Sequence, residues 1–154
     1  MDWKTLEALK DKNVHIVGLS SVEGSAVAAF LVEHGFTAIT AHDFKGPQEF
    51  ERSYKRIHVG LTRRQRDEAF ERLRNMPIVV HYQDTYLEDI READAIFVTQ
   101  AWFLYEPNYP RLQEAKEAGI PFHSMTELYF DLAPCPIIAV TGTNGKSTTA
   151  RLIS

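Results

Sequence analysis

Seven consecutive residues near the C-terminal end could grip a polyphosphate: Gly142, Thr143, Asn144, Gly145, Lys146, Ser147 and Thr148. Glycines let a backbone curl until several N–H groups face one anion. A helix starting near Lys146 adds the positive end of its dipole. Lys146 can reach the β- and γ-phosphates, and the Ser147 hydroxyl can hold Mg²⁺. The strict spacing of such a loop wants a glycine five residues before Gly145, where this chain has Val140, and Gly142 takes up the turn instead. The apolar run Pro136 to Thr141 leads in and reads as a buried strand.

A second set of polar residues lies where predicted strands end. Gly18, Leu19, Ser20 and Ser21 follow the apolar run Val14 to Val17; Asp43, Phe44 and Lys45 follow a second strand; Thr99, Gln100 and Ala101 follow a fourth. Ligands of open parallel sheets bind in the crevice at the carboxyl ends of strands, so these are candidate binding residues. A strand, turn, helix and strand with an acidic residue about 25 positions past the turn is also the layout of a dinucleotide site. Its glycine fingerprint is damaged, because the three slots read Gly18, Ser20 and Glu23. Gly24 replaces the last only in a turn one residue longer. NAD or FAD is therefore weakly supported, and the plainer reading is a tight strand-to-helix crossover.

The elements that would position both sets alternate along the chain. Asp2 caps a short helix to Leu9, with Trp3, Leu6 and Leu9 at helical spacing. Strand Val14 to Gly18 is followed by Ser20-Ser21-Val22-Glu23, read as a capping box. That helix runs to about His34 and stops at Gly35. Thr37 to Ala41 is the second strand, with Asp43 just past it. A polar helix, Gln48 to Ile57, precedes a capping box at Thr62-Arg63-Arg64-Gln65. The helix it opens buries Ala69, Phe70, Leu73 and Met76. Its arginine-rich outer face reads as ion-paired, or as a basic rim for a diphosphate. Pro77 to Tyr82 is the third strand, Thr85 to Glu88 caps a short helix, and Ala95 to Val98 is a fourth strand covered on both faces. Trp102 to Tyr105 is an aromatic loop, open to packing or to ligand contact. Arg111 to Ala118 is a helix, Ile120 to His123 an edge strand, and Ser124 to Glu127 a capping box for the last helix before Ala133-Pro134-Cys135-Pro136.

Composition narrows the class. The 154 residues are 44% hydrophobic and 25% charged with a net charge of −4, ordinary for a soluble domain and without the basic excess of a nucleic-acid binder. A single cysteine, Cys135, allows no intramolecular disulfide, which suits a reducing cytoplasm. His15 reads as a core histidine rather than a metal ligand. No apolar stretch is long enough for membrane insertion.

Thr141-Gly142-Thr143-Asn144-Gly145-Lys146-Ser147-Thr148-Thr149 after an apolar strand resembles the ATP loop of the Mur ligase family. These are the ATP-dependent amide ligases of peptidoglycan synthesis and their folylpolyglutamate-synthetase relatives. Ala118-Gly119-Ile120-Pro121, Glu127-Leu128 and the run Ala133 to Lys146 are similar to the branch that adds D-glutamate to UDP-N-acetylmuramoyl-L-alanine. The resemblance implies an α/β fold, a Rossmann-like open parallel sheet with helices on both faces, plus the first strand and loop of a truncated P-loop domain. It implies residues 1–133 as the UDP-substrate domain and 134–154 as the start of the ATP domain. It also implies ATP and Mg²⁺ as cofactors and a cytoplasmic role in cell-wall biogenesis, cell shape and cell division. In such enzymes the substrate carboxylate attacks the γ-phosphate, and an acyl phosphate forms that the D-glutamate amine attacks. Lys146 would be the catalytic residue stabilising charge on the γ-phosphoryl, and Ser147 the metal ligand. The family's Gly-Leu-Gly turn falls on Gly18-Leu19-Ser20-Ser21, its Asp-Thr-Arg on Asp43-Phe44-Lys45, and its Ser-Pro-Gly turn on Thr99-Gln100-Ala101. Asp43 would accept from the uracil N–H or a sugar hydroxyl. The segment Gly46 to Met76 is longer than the family implies. The alternative is a diverged nucleotide-sugar-binding module with another substrate or no catalysis. The expected truncation predicts weak or no ATP binding. It also predicts a C-terminal strand that packs back on its own domain or self-associates with a neighbour.

Overall fold

The computed structural model describes residues 1–99 and 102–153. Five strands form one all-parallel sheet in the order β3-β2-β1-β4-β5: β1 Val14–Val17, β2 Ile39–Asp43, β3 Val79–Tyr82, β4 Ala95–Val98 and β5 Phe122–Ser124. The chain starts at the middle of the sheet, winds out through β2 and β3, then crosses back to β4 and β5. The order therefore reverses beside β1, and the crevice between the ends of β1 and β4 is the switch point where such sheets take ligands.

Side-chain alternation assigns the two faces. Val14 and Ile16, Ile39 and Ala41, Ala95 and Phe97 all join one apolar cluster. It includes residues of α1 (Trp3–Glu7), α2 (Val22–Glu33), α3 (Pro47–Ile57), α4 (Arg63–Arg74) and α6 (Met125–Leu132). Val17, Ile96 and Val98 face the other way, into a smaller cluster with Leu87, Ile90, Trp102 and with Leu112 and Ala115 of α5 (Arg111–Glu117). Helices cover both faces, as an all-parallel sheet requires. The capping boxes at Thr62–Gln65 and Ser124–Glu127 form as predicted, and Arg64 pairs with Glu68 at 2.7 Å.

Local expectations change in several places. The cap of α2 is Ser21, whose Oγ accepts from the Gly24 N–H at 2.8 Å. Ser20 is not the cap, because its own N–H is drawn to Asp43. β2 starts two residues later than predicted and takes in Asp43 as its last residue. No α-helix follows Thr85; 3₁₀ turns at Gln83–Thr85 and Ile90–Glu92 take its place. Between them the Leu87 N–H donates to buried His42, and Leu87 plugs the smaller cluster. That tertiary anchoring replaces the helical bonds. Trp102 to Tyr105 is likewise wound into a 3₁₀ turn, Trp102–Leu104, with Trp102 buried.

The largest change concerns residues 136–141. They form no strand and are not part of the five-stranded sheet. Ile137 and Ile138 are exposed, as are Leu152 and Ile153 of the terminal helix α7 (Lys146–Ile153). The expectation that this tail packs back on its own domain is thus not met. An apolar run becomes a strand only where another strand offers the hydrogen bonds, and the sheet ends at β5.

Candidate functional site

The turn after β1 is built by contacts to β2. Gly18 has φ +88°, a left-handed value that favours glycine. The N–H groups of Gly18 and Leu19 both donate to the His42 carbonyl, at 2.8 and 3.2 Å. A Cβ on Gly24 would lie 2.3 Å from the Gly18 carbonyl oxygen. Gly24 therefore does what the third fingerprint glycine does elsewhere, and the turn is one residue longer than the standard spacing.

Asp43 ties this turn to the next. Its carboxylate is fully buried and accepts from the Ser20 N–H at 2.8 Å and the Lys45 N–H at 3.1 Å. The Lys45 ammonium lies 3.6 Å from the same carboxylate and 3.4 Å from Ser20 Oγ. The Asp43 oxygens are thus engaged by the protein's own donors, and its role here is to position Ser20 and Lys45. It is Lys45 that brings a positive charge to the crevice.

The crevice itself is a cavity of about 100 Å³. Of the predicted residues, Gly18, Ser20, Ser21, Asp43, Lys45 and Thr99 line it. Leu19 does not, being buried in the larger cluster. Gln100 lies outside the described residues. Phe44, named with the end of the second strand, lines it too; the sequence reading missed Ile57, Tyr86 and Asn108 and left Trp102 and Tyr105 open, and all five line the cavity. The Tyr86 hydroxyl donates to Asn108 Oδ1, and Asn108 Nδ2 donates to the Trp102 carbonyl, so a buried network pins the aromatic loop over the opening. Burial pushes the Tyr86 phenol above its ordinary range, which keeps it a hydrogen-bond donor. The signal for Asn108 was a lone amide inside an aromatic, proline-rich loop.

Beneath the crevice, three imidazoles cross the sheet. His15 Nδ1 is 2.8 Å from His42 Nε2, and the His42 and His81 rings stack at 5.4 Å. The Leu87 N–H donates to His42 Nδ1. His42 must therefore carry its proton on Nε2 and donate to His15. His15 then carries its proton on Nε2, a buried atom with no partner among the described residues. Burial lowers the His15 pKa to about 4 and that of His42 to about 3. His15 is a core histidine, as predicted.

The predicted phosphate loop stands apart. None of its residues lines the crevice. Gly142 and Gly145 have φ +147° and +78°, and α7 begins at Lys146. The Lys146 ammonium donates to the Gly142 carbonyl at 2.6 Å and the Thr143 carbonyl at 3.4 Å. Thr143, Asn144, Ser147 and Thr148 are exposed around it. Glycine turns, an ammonium, three hydroxyls and a helix start fit a triphosphate with its Mg²⁺, once the ammonium leaves the loop's own carbonyls. Among the described residues no cluster of three or more His, Cys, Asp or Glu could hold a metal, and no helix is long and apolar enough to cross a membrane.

The sheet order and the crevice at its reversal define a Rossmann-like α/β protein. No family model matches the chain. The chain is homologous to the N-terminal part of UDP-N-acetylmuramoylalanine–D-glutamate ligases. It is 30% identical to the one from Ruminiclostridium cellulolyticum and 32% identical to the one from Desulfatibacillum aliphaticivorans, each over 145 residues, or 94% of this chain. It spans 27% and 28% of the length of those two relatives. With the ligase of Enterococcus hirae the identity is 49% over 45 residues, 29% of this chain and 10% of that protein. Among solved structures, the Escherichia coli tRNA N6-threonylcarbamoyladenosine dehydratase overlaps 79% of this chain and 54% of its own, at a TM-score of 0.47 and 18% identity.

Proposed function

We propose that this chain is the UDP-substrate-binding part, with the start of the ATP-binding part, of a cytoplasmic ATP-dependent ligase. The ligase would join D-glutamate to UDP-N-acetylmuramoyl-L-alanine in peptidoglycan synthesis. The observation that carries this reading is similarity to such ligases over 94% of the chain. Residues 1–133 would form the substrate domain. Gly18, Ser20, Ser21 and Lys45 would receive the diphosphate, and Thr99 and Gln100 would also contact the nucleotide. Residues 134–154 would open the ATP domain, with Gly142 to Thr148 around the phosphates and Ser147 on Mg²⁺.

ATP would supply the phosphoryl group that activates the substrate carboxylate as an acyl phosphate. The chain's own part is electrostatic. Lys146 would release the Gly142 carbonyl and neutralise charge at the γ-phosphoryl oxygens. Lys45 would neutralise the diphosphate at the crevice and hold the substrate in register.

A second reading, a nucleotide-sugar-binding module without catalysis, is favoured by one observation: Lys146 is bonded to its own loop and residues 136–141 form no strand beneath it. Calorimetric titration with UDP-N-acetylmuramoyl-L-alanine, UDP and Mg-ATP separates the cases. The leading reading expects the two UDP ligands to bind in the crevice, and Mg-ATP to bind weakly through Lys146. UDP binding with no Mg-ATP response at any concentration favours the module. No response to either UDP ligand refutes both.

A further inference from the structure

We infer that Phe44 is the nucleobase platform of the crevice, and that Lys45 covers it until a diphosphate draws the ammonium away. This rests on the proposal that the crevice takes a UDP ligand. Phe44 follows buried Asp43 directly, so the backbone beneath the ring is fixed by two hydrogen bonds to that carboxylate. Its ring is braced edge-on by Tyr86, centroids 6.1 Å apart at 79°, and Tyr86 is held by Asn108. The platform is therefore rigid.

Tyr105 packs against Phe44, ring centroids 6.1 Å apart and tilted by 36°, an ordinary aromatic contact. A planar ring inserted between two others needs about 7 Å, twice an ordinary carbon contact. Tyr105 is 47% exposed, so few contacts oppose a swing of its ring that admits a pyrimidine against Phe44.

The ammonium of Lys45 lies 3.9 Å from the centre of the Phe44 ring. Phe44 and Lys45 both line the crevice, so the ring that the ammonium covers is within reach of a ligand bound there. The same ammonium reaches Ser20 Oγ at the turn before α2, where a helix start favours anions. A diphosphate arriving there gives Lys45, already 3.6 Å from the Asp43 carboxylate, a second anion and a stronger partner than the ring. Moving to it uncovers the face on which the base then stacks. Phosphate and base recognition are coupled through one side chain, and stacking selects for a nucleotide over a bare diphosphate.

The test is titration of wild type, Phe44→Ala and Phe44→Tyr with UDP and with inorganic pyrophosphate. Base–aromatic stacking is worth about ten- to a hundredfold in affinity. Phe44→Ala is expected to lose about that factor for UDP and to keep wild-type affinity for pyrophosphate, which also reports that its crevice is folded. Phe44→Tyr, which keeps a ring, should retain UDP binding. Wild type that binds UDP no more tightly than pyrophosphate, or Phe44→Ala that binds UDP like wild type, overturns the platform and leaves UDP recognition standing. Wild type that binds neither probe overturns both.

Discussion

Acid should unfold this protein through two histidines. His15 and His42 are fully buried between β-strands. Desolvation holds their pKa values at about 4 and about 3, against 6.5 for a free imidazole. In the unfolded chain both protonate as pH falls through 6.5; in the folded chain they do so only near pH 4 and 3. Between those values the unfolded state binds more protons, so stability falls with falling pH. At about 1.4 kcal/mol per pH unit, the gap from 6.5 to 4 amounts to about 3 kcal/mol for one histidine. Repulsion from His15 is part of the His42 shift, so the pair's loss at pH 4 is taken as at least that one charge. Asp89 partly offsets it at His15, and His81 adds to it. A loss of this size is a large fraction of a typical domain's 5–15 kcal/mol, roughly speaking. The assay is urea unfolding followed by circular dichroism from pH 8 to pH 4. Wild type is compared with the double variant His15→Gln/His42→Gln, which cannot titrate there. The wild-type curve should drop by about 3 kcal/mol more than the variant's across that range. Parallel curves would refute the reasoning, as would imidazole NMR midpoints near 6.5 for these two residues in the folded protein.

Other predictions follow from the turn after β1. Gly24→Ala places a methyl 2.3 Å from the Gly18 carbonyl, and backbone cannot yield as a side chain does. It should cost about 1–3 kcal/mol in denaturant midpoint, with UDP affinity falling alongside. Ser21→Ala removes the α2 cap and should cost about 1 kcal/mol, whereas Ser20→Ala, with no cap bond to lose, should cost less; the reverse order in thermal melts would contradict the cap assignment. Asp43→Asn turns one acceptor into a donor facing the Ser20 or Lys45 N–H. It should weaken UDP binding at least as much as Lys45→Met does, measured by calorimetry.

The legible parts of this chain are those set by local pattern. The apolar runs at Val14 to Val17 and Ala95 to Val98, the caps at Thr62 and Ser124, and the glycine stops at Gly35 and Gly119 each follow from a few adjacent residues, and each is found. The misses share a cause, which is a partner distant in sequence. Ser20 looks like a cap until the Asp43 carboxylate, 23 residues on, takes its N–H. Thr85 looks like a helix start until His42, 45 residues back from Leu87, takes the Leu87 N–H. Pro136 to Thr141 looks like a strand because its side chains are right, but the hydrogen bonds of a strand belong to two segments and only one is written there. The site divides the same way. The glycine and serine turn at the end of β1 is readable from composition and position. Its aromatic wall is not, because Phe44, Tyr86 and Tyr105 meet only after two crossovers bring three loops to one end of the sheet. Asp43 shows why residue type alone misleads. An acidic residue at the end of β2 suggests a ligand acceptor, yet three donors of the protein surround it. A buried carboxylate needs partners, and here the turn itself supplies them. Recognition then passes to what Asp43 holds in place: the Lys45 charge and the Phe44 ring.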